Sequence, residues 1–341
     1  MTTYLLRLTP MEPFFFADER SFAYPLRSHP GQQGDRSRVA GEPTPSQTTL
    51  FGALRYLLLP HKRADRTAYT PAERAAIAAA VGEHSFDPQA TERQCFGGIR
   101  GMSPLFLLQG EQRLVPMPAD HVTGQPVYTP FDDYRPVETH DGMRLYTPCY
   151  DHKRGVSDGY MAVDSGAAVD RRELFCTLTR TGNRTGGTED MGLYKREMTV
   201  LHPGVSFGVY VTLEDTLQPR DGLLLMGQGS HVFSAAFTEQ ENTLEAAVRA
   251  RLPRGTVYCL GDTFIYDGLW DDLLFAVTRT RTYRALGTAY GQVTRGSILH
   301  QVLRAGSVLL PRDIPAFLER ARGNENRRQV GFNTLLTREE D

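Results

Sequence analysis

Lysine is nearly absent from the chain: Lys62, Lys153 and Lys195 are the only three, and the other 35 of its 38 basic residues are arginine. Arginine offers a planar five-donor fork suited to phosphate, carboxylate and stacked bases, although a GC-rich coding sequence produces the same skew. A surplus of charge is also missing. The 38 basic residues meet 40 acidic ones in 341, a formal net charge of −2, which excludes a free-standing polycation that grips nucleic acid with its whole surface. No run approaches about 18 consecutive apolar residues, and the opening MTTYLLRLTPMEPFFF lacks a basic leader and a small-residue cleavage site. Neither a membrane span nor a signal peptide is therefore expected, and a cytosolic location follows. Cysteine is scarce: Cys95, Cys149, Cys176 and Cys259 stand far apart with no CxxC, which fits reduced, mostly buried thiols better than a disulfide framework.

Catalytic motifs are equally thin. There is no P-loop, no HExxH, no dinucleotide-binding GxGxxG and no EF-hand loop, so those chemistries lack their mechanical parts. Gly204-Val205-Ser206-Phe207-Gly208 matches the G-x-S-x-G elbow pattern, but Ser206 sits inside a period-2 strand rather than at a strand-to-helix turn, and it reads as a strand residue. His140, Cys149 and His152 share one loop and with Cys176 make a four-ligand zinc set, without the usual tight cysteine pair; surface histidines and a buried thiol are the other reading. His29 or His61, near Tyr56, is placed to serve as a general base in metal-independent RNA cleavage, against the alternative of solvated loop histidines.

What is present is an alternation of strands and helices in both halves. Thr3–Thr9 reads as a strand, and Arg27–Pro45 as loop. Ser46 caps a helix from Gln47 to Leu59, and Thr70, Pro71 and Glu73 form a capping box on an Ala-rich helix that Gly82 ends. A hairpin follows at PLFLL–QGEQ–RLVPMP, then an aromatic, Pro-rich stretch from Asp120 to Asp158 without period. Strands are expected near FCTLTRT, LYKREMTVL and VSFGVYVTL, the last with Val205, Phe207, Val209, Val211 and Leu213 on a core face. Further on, a Gly227-Gln228-Gly229-Ser230 turn joins two strands, Asn242 with Glu245 caps a helix to Leu252, and Asp313 caps another that ends at Gly323. Of Phe14, Phe15 and Phe16, at least one is expected in the core and the others at an interface, since three consecutive aromatics cannot face one side of a strand. The pattern is α+β.

MEPFFFADERSF, a polar loop and PSQTTLFGALRYLL resemble the N-terminus of a RAMP-superfamily CRISPR subunit, specifically subunit three of the type III-B (Cmr) effector complex. SPLFLLQGEQRLVPMPAD, TRTGNRTGGTEDMGLYKREMTVLHPGVSFGVYV, MGQGSHVFSA and RAGSVLL resemble later segments of that family, in order and nearly end to end. Two departures stand out. The glycine turn ends in Ser230 rather than arginine, so a basic contact there is lost or supplied by His231, and no "GWD" precedes Arg304. Subunit four of the type III-A (Csm) complex is the close alternative.

The resemblance implies two ferredoxin-like, RRM-related units with long inserted loops, residues 1–165 and 166–341, the second with a thumb-like hairpin and a glycine-rich C-terminal loop. It implies a non-catalytic subunit with no cofactor or metal that holds the 5′ handle of the CRISPR RNA. Its other partners would be the large polymerase-cyclase subunit, the backbone RAMP subunits and, indirectly, target RNA. The competing class is a metal-independent endoribonuclease acting on precursor RNA. Single-stranded RNA is gripped by basic grooves with stacking planes, and backbone amides at turns and helix starts bind phosphate. Four clusters supply such parts. They are Arg27, Arg36 and Arg38 with Ser46, Thr48, Thr49 and Arg55; Arg180, Arg184 and Thr188 in the thumb; Gly227, Gln228, Gly229, Ser230 and His231; and Arg327 and Arg328 before Gly331-Phe332. Each has a plainer reading: a solvated loop with an ordinary cap, a flexible hairpin tip, a simple β-turn, a frayed basic tail.

Overall fold

In a computed structural model of the chain, the residues described are 1–17, 38–39, 41–60, 62, 69–131, 135–146, 153, 155–183, 193–289 and 292–338. The fold is α+β, rich in sheet and poor in helix. Its centre is a nine-stranded antiparallel sheet in the order β13 (Gly222–Met226), β14 (His231–Glu239), β1 (Thr2–Pro10), β12 (Val205–Leu213), β4 (Phe106–Gln109), β5 (Gln112–Pro116), β8 (Tyr160–Ala162) and β9 (Ala168–Val169), with β3 (Ile99–Met102) pairing the far end of β12. This sheet draws strands from both sides of residue 165.

The alternation in β12 predicts one buried face, and the strand buries both. Val205, Phe207, Val209, Val211 and Leu213 enter one core with Leu6 and Leu8 of β1, while Tyr210 enters a second core with Leu5, Tyr258, Val308 and Leu336. The reason is position: β1 and β14 flank β12 on one side, β3 and β4 on the other, and both sheet faces are covered. Gly208 fits there because a Cβ would come within 2.6 Å of the Phe106 ring. Ser206 is buried in this strand, opposite Leu108, and is a strand residue as expected.

The smaller sheets carry the periphery. β17 (Leu273–Val277), β20 (Val308–Pro311), β15 (Val257–Cys259) and β21 (Leu335–Leu336) form one. β16 (Thr263–Phe264), β19 (Gln292–Leu303) and β18 (Thr280–Ala289) form another, and β10 (Phe175–Asn183), β11 (Leu193–Leu201) and β2 (Arg38–Val39) a third. The stretch expected to be aperiodic contains a hairpin, β6 (Arg135–Thr139) and β7 (Gly142–Tyr146), turning at His140-Asp141.

Helix starts follow their caps. α1 (Gln47–Leu57) begins at Ser46, whose side chain accepts from the Thr49 amide, and ends two residues earlier than expected. α2 (Pro71–Val81) has the full Thr70/Glu73 capping box and stops at Gly82. α3 (Leu244–Arg249) is shorter than the sequence suggests: Asn242 Oδ1 accepts from the Leu244 amide at 3.1 Å, and Glu245 pairs with Arg249 instead of closing a box. α4 (Ile314–Ala321) is capped by Asp313, and α5 (Glu325–Gln329) by Asn324. No helix among the described residues is long and apolar enough to cross a membrane.

Two expectations about burial change. Phe14, Phe15 and Phe16 are all inside, none left for an interface: Phe14 and Phe16 meet Phe207 and Phe233, and Phe15 points the other way beneath another element. Of the cysteines, Cys259 is buried and its thiol is pushed up to about 12 by burial, whereas Cys95 and Cys176 are exposed; Cys149 lies outside the described residues.

Truncating the residue at the middle of β12 should show which part of this design carries stability. Phe207→Ala should cost about 3–5 kcal/mol, against about 1 kcal/mol for Thr70→Ala at the exposed cap, measured by denaturant unfolding.

Candidate nucleic-acid interface

The glycine turn is built by a close backbone approach. Gly227 has φ +77°, and a Cβ there would sit 2.5 Å from the Phe15 carbonyl oxygen, so only glycine fits. The Gln228 amide donates to that same oxygen at 3.0 Å, clamping the turn onto the Phe14–Phe16 segment. Gly229 and Ser230 also have positive φ, which completes the tight reversal between β13 and β14. His231 is not available as the replacement basic contact. Its ring is buried, with Nε2 3.1 Å from the Gln228 carbonyl oxygen and Nδ1 3.8 Å from Glu12.

Over this turn stands the β10–β11 hairpin. Arg196 of β11 lies with its guanidinium carbon 5.0 Å over the Phe15 ring, and Nη1 is 3.7 Å from where a Gly229 Cβ would be. Directly across the ladder from Arg196 is Arg180, exposed and without an ion pair among the described residues. Next in register, Lys195 is exposed on the other face of the ribbon, and its backbone pairs in parallel with Arg38 of β2. The fold thus brings Arg180, Arg196 and the Gly227–Ser230 turn to one side of the β10–β11 ribbon and Lys195 to the other, beside the backbone of Arg38; Arg38, Arg180 and the turn come from three of the four sequence clusters, Lys195 and Arg196 from none. Arg27, Arg36, Arg184 and Thr188 lie outside the described residues.

The α1 start is a second element. Ser46 Oγ accepts from the Thr49 amide at 3.2 Å and meets the hydroxyls of Thr48 and Thr49 at 3.2 and 2.9 Å. Gln47 is buried and anchors the start, donating to the Ser103 carbonyl at 2.7 Å and accepting from the Leu105 amide at 3.2 Å. Arg55 points away from this end: it donates to the Gly82 carbonyl at 2.8 Å and so ties α1 to the close of α2.

The C-terminal cluster is no frayed tail. Arg327 donates to the Pro88 carbonyl at 3.0 Å and stands 4.6 Å over the Phe264 ring, where burial depresses its pKa. Phe332 is fully buried against Phe86, Phe264 and Tyr283. Arg328 alone of this group is exposed, lining a cavity with Arg100 and Arg322.

Sequence reasoning missed Lys195 and Arg196 of β11, and it missed a cleft. Arg171, Arg279, Arg281 and Arg304 line a cleft of about 160 Å³ whose far wall includes Gln47, beside the α1 start. The usable signal was the two-residue spacing of Arg279 and Arg281, which puts both on one side of an extended chain. As for metal, no group of three His, Cys, Asp or Glu able to hold an ion occurs among the described residues; His140 is exposed beside Asp141, Cys176 is on β10, and Cys149 and His152 lie outside the described residues. His29 and His61 also lie outside them.

A family model described as "CRISPR-associated protein (Cas_Cmr3)" matches residues 6–272. No curated protein matches the sequence. Among solved structures, the chain is similar to one of the type III-B Cmr-beta complex bound to cognate target RNA, at TM-score 0.54 and 13% identity, covering 98% of this chain and 96% of that one. It is also similar to one of the same complex bound to target RNA and AMPPnP, at TM-score 0.50 and 11% identity with the same coverage, 98% and 96%. These likenesses are of fold.

The clamp on Phe15 makes an asymmetric prediction for the glycines. Gly227→Ala adds a steric clash to an unfavourable φ and should cost about 2–4 kcal/mol, whereas Gly110→Ala, at positive φ in open space, should cost only the conformational strain of about 1–2 kcal/mol. Thermal and urea unfolding of the two variants measures the difference.

Proposed function

Because the chain belongs to the CRISPR-associated Cmr3 family, we propose that it serves its type III effector complex as the non-catalytic, cytoplasmic subunit that holds the 5′ handle of the CRISPR RNA. The observation that carries this is exposed Arg180 directly across β10–β11 from Arg196, with the glycine turn beneath and Lys195 exposed on the ribbon's other face. A phosphate chain passing there meets exposed Arg180 and finds the backbone of the turn close enough to touch. Single-stranded RNA is bound in this way, by cations that track the phosphates and by turns that allow near approach. Ser46, Thr48 and Thr49 continue the track at the start of α1, where a helix favours an anion.

The same reading supplies the rest of the chain with work. It keeps the two ferredoxin-like units as a reading of the fold without a boundary at residue 165, where the central sheet runs across, and takes β10–β11 as the base of a thumb. It assigns the remaining surface to the large polymerase-cyclase subunit and the backbone subunits. A net charge of −2 suits a part that needs only a local basic strip while its acidic remainder faces protein.

Affinity for a handle-sequence single-stranded RNA tests the assignment. The purified chain should bind weakly, and Arg180→Ala and Lys195→Ala should each weaken binding about 3- to 10-fold near 0.15 M salt and lower the salt slope by about 0.7 for each phosphate no longer neutralised. Binding that ignores both substitutions, together with handle crosslinks that miss this chain in the assembled complex, would remove the proposal. Incubated with labelled precursor RNA in EDTA, the chain should leave it intact; a discrete cleavage product would favour the endoribonuclease class instead.

A further inference from the structure

The arginine cleft is separate from the basic strip and has its own electrostatics. Four guanidiniums, Arg171, Arg279, Arg281 and Arg304, face three carboxylates, Glu42, Asp158 and Asp262. The pairing is uneven. Arg304 holds Glu42 at 2.8 Å and Arg281 holds Asp262, so these two positive charges are matched. Burial works against the charge on Arg304, but Glu42 and Asp262 outweigh it and keep its pKa above the ordinary arginine value.

Arg279 is the opposite case. Its guanidinium donates to the Val156 carbonyl, a neutral acceptor, and Asp158, the carboxylate that acts on it, is also 3.8 Å from Arg171. Burial depresses its pKa, Asp158 offsets part of that, and Arg304 and Arg171 depress it further by repulsion. A cation held among cations beside an open cavity is where an added anion gains most. The cavity of about 160 Å³ has room for about five waters, the scale of one sugar-phosphate and too little for a duplex. Among its lining residues half-buried Leu105 offers apolar surface to a sugar or base edge, and the Arg304–Ser307 turn supplies backbone at close range.

We propose that this cleft binds one phosphate-bearing nucleotide, with Arg279 and Arg171 as the phosphate contacts. Its neighbourhood to the α1 start makes a nucleotide of single-stranded RNA the favoured source, and to that extent the inference rests on the RNA-binding reading above. A free nucleotide has the same chemistry and is the other source. Arg281 and Arg304 shape the site from their ion pairs, and the anion is met by the two cations left under-compensated.

The test uses the full chain, with a fluorescein-labelled eight-nucleotide single-stranded RNA in one arm and adenosine 5′-monophosphate in the other. Arg279→Ala should weaken RNA binding about 3- to 10-fold and lower the salt slope by about 0.7, and Arg279→Lys, which keeps the charge, should restore the slope. An unchanged melting temperature in Arg279→Lys guards against a folding defect. If the nucleotide binds in an Arg279-dependent way while RNA is indifferent to Arg279, the site stands and its ligand is the free nucleotide. If neither RNA nor nucleotide binding depends on Arg279, the cleft proposal is overturned. In that event Arg180→Ala still reports on the strip: weakened RNA binding there leaves the handle reading intact. Should the wild-type chain bind no RNA at all, the handle reading falls and the nucleotide arm alone decides the cleft.

Discussion

The three consecutive phenylalanines after β1 are held by backbone on every side, and both basic regions of the molecule hang from that short segment. Phe14 exchanges amide and carbonyl hydrogen bonds with Thr199 of β11, at 2.9 and 2.8 Å; the Phe15 carbonyl accepts the Gln228 amide; the Phe16 carbonyl accepts the Glu42 amide at 2.8 Å. Phe14 and Phe16 drive their rings into the main core, which fixes the segment, and the alternation then leaves Phe15 on the opposite side under the Arg196 guanidinium. One strip of chain therefore positions the glycine turn and the β10–β11 hairpin, and through Glu42 it also reaches Arg304 in the cleft.

That segment is rigid because the sheet behind it is. With Phe207 and Val209 on one face of β12 and Tyr210 on the other, two cores share one strand, so neither half can shift without disturbing both. Close packing on two faces transmits position well, and it explains why loops at the sheet margin can present cations with a defined spacing.

Arginine serves at least two purposes here. Arg55 and Arg327 are structural, donating to the carbonyls of Gly82 and Pro88 and lying against aromatic rings, a use that suits a planar, weakly hydrated cation. Arg180 and Arg279 are held near other cations, Arg180 without an ion pair among the described residues and Arg279 bonded to a carbonyl, and are the ones with charge to offer an anion. Composition cannot separate these roles, because each arginine contributes equally to the count.

Local rules were legible in the chain. The Ser46 and Asp313 caps, the Thr70/Glu73 capping box, the Gly227–Ser230 reversal and the strand identity of Ser206 all follow from residues within a few positions of one another, where backbone geometry and one side-chain hydrogen bond decide the outcome. The family resemblance was legible for the same reason, since its motifs are contiguous. What the chain could not display were consequences of distance. That β12 has no solvent face, that all three phenylalanines are inside, that His231 spends its ring on its own turn and that Arg327 is enclosed depend on which distant element arrives on the other side. The arginine cleft is the clearest case: Glu42, Asp158, Arg171, Asp262, Arg279 and Arg304 meet only after folding, and which cation is left under-compensated is set by Coulomb interactions across separations that sequence order does not encode.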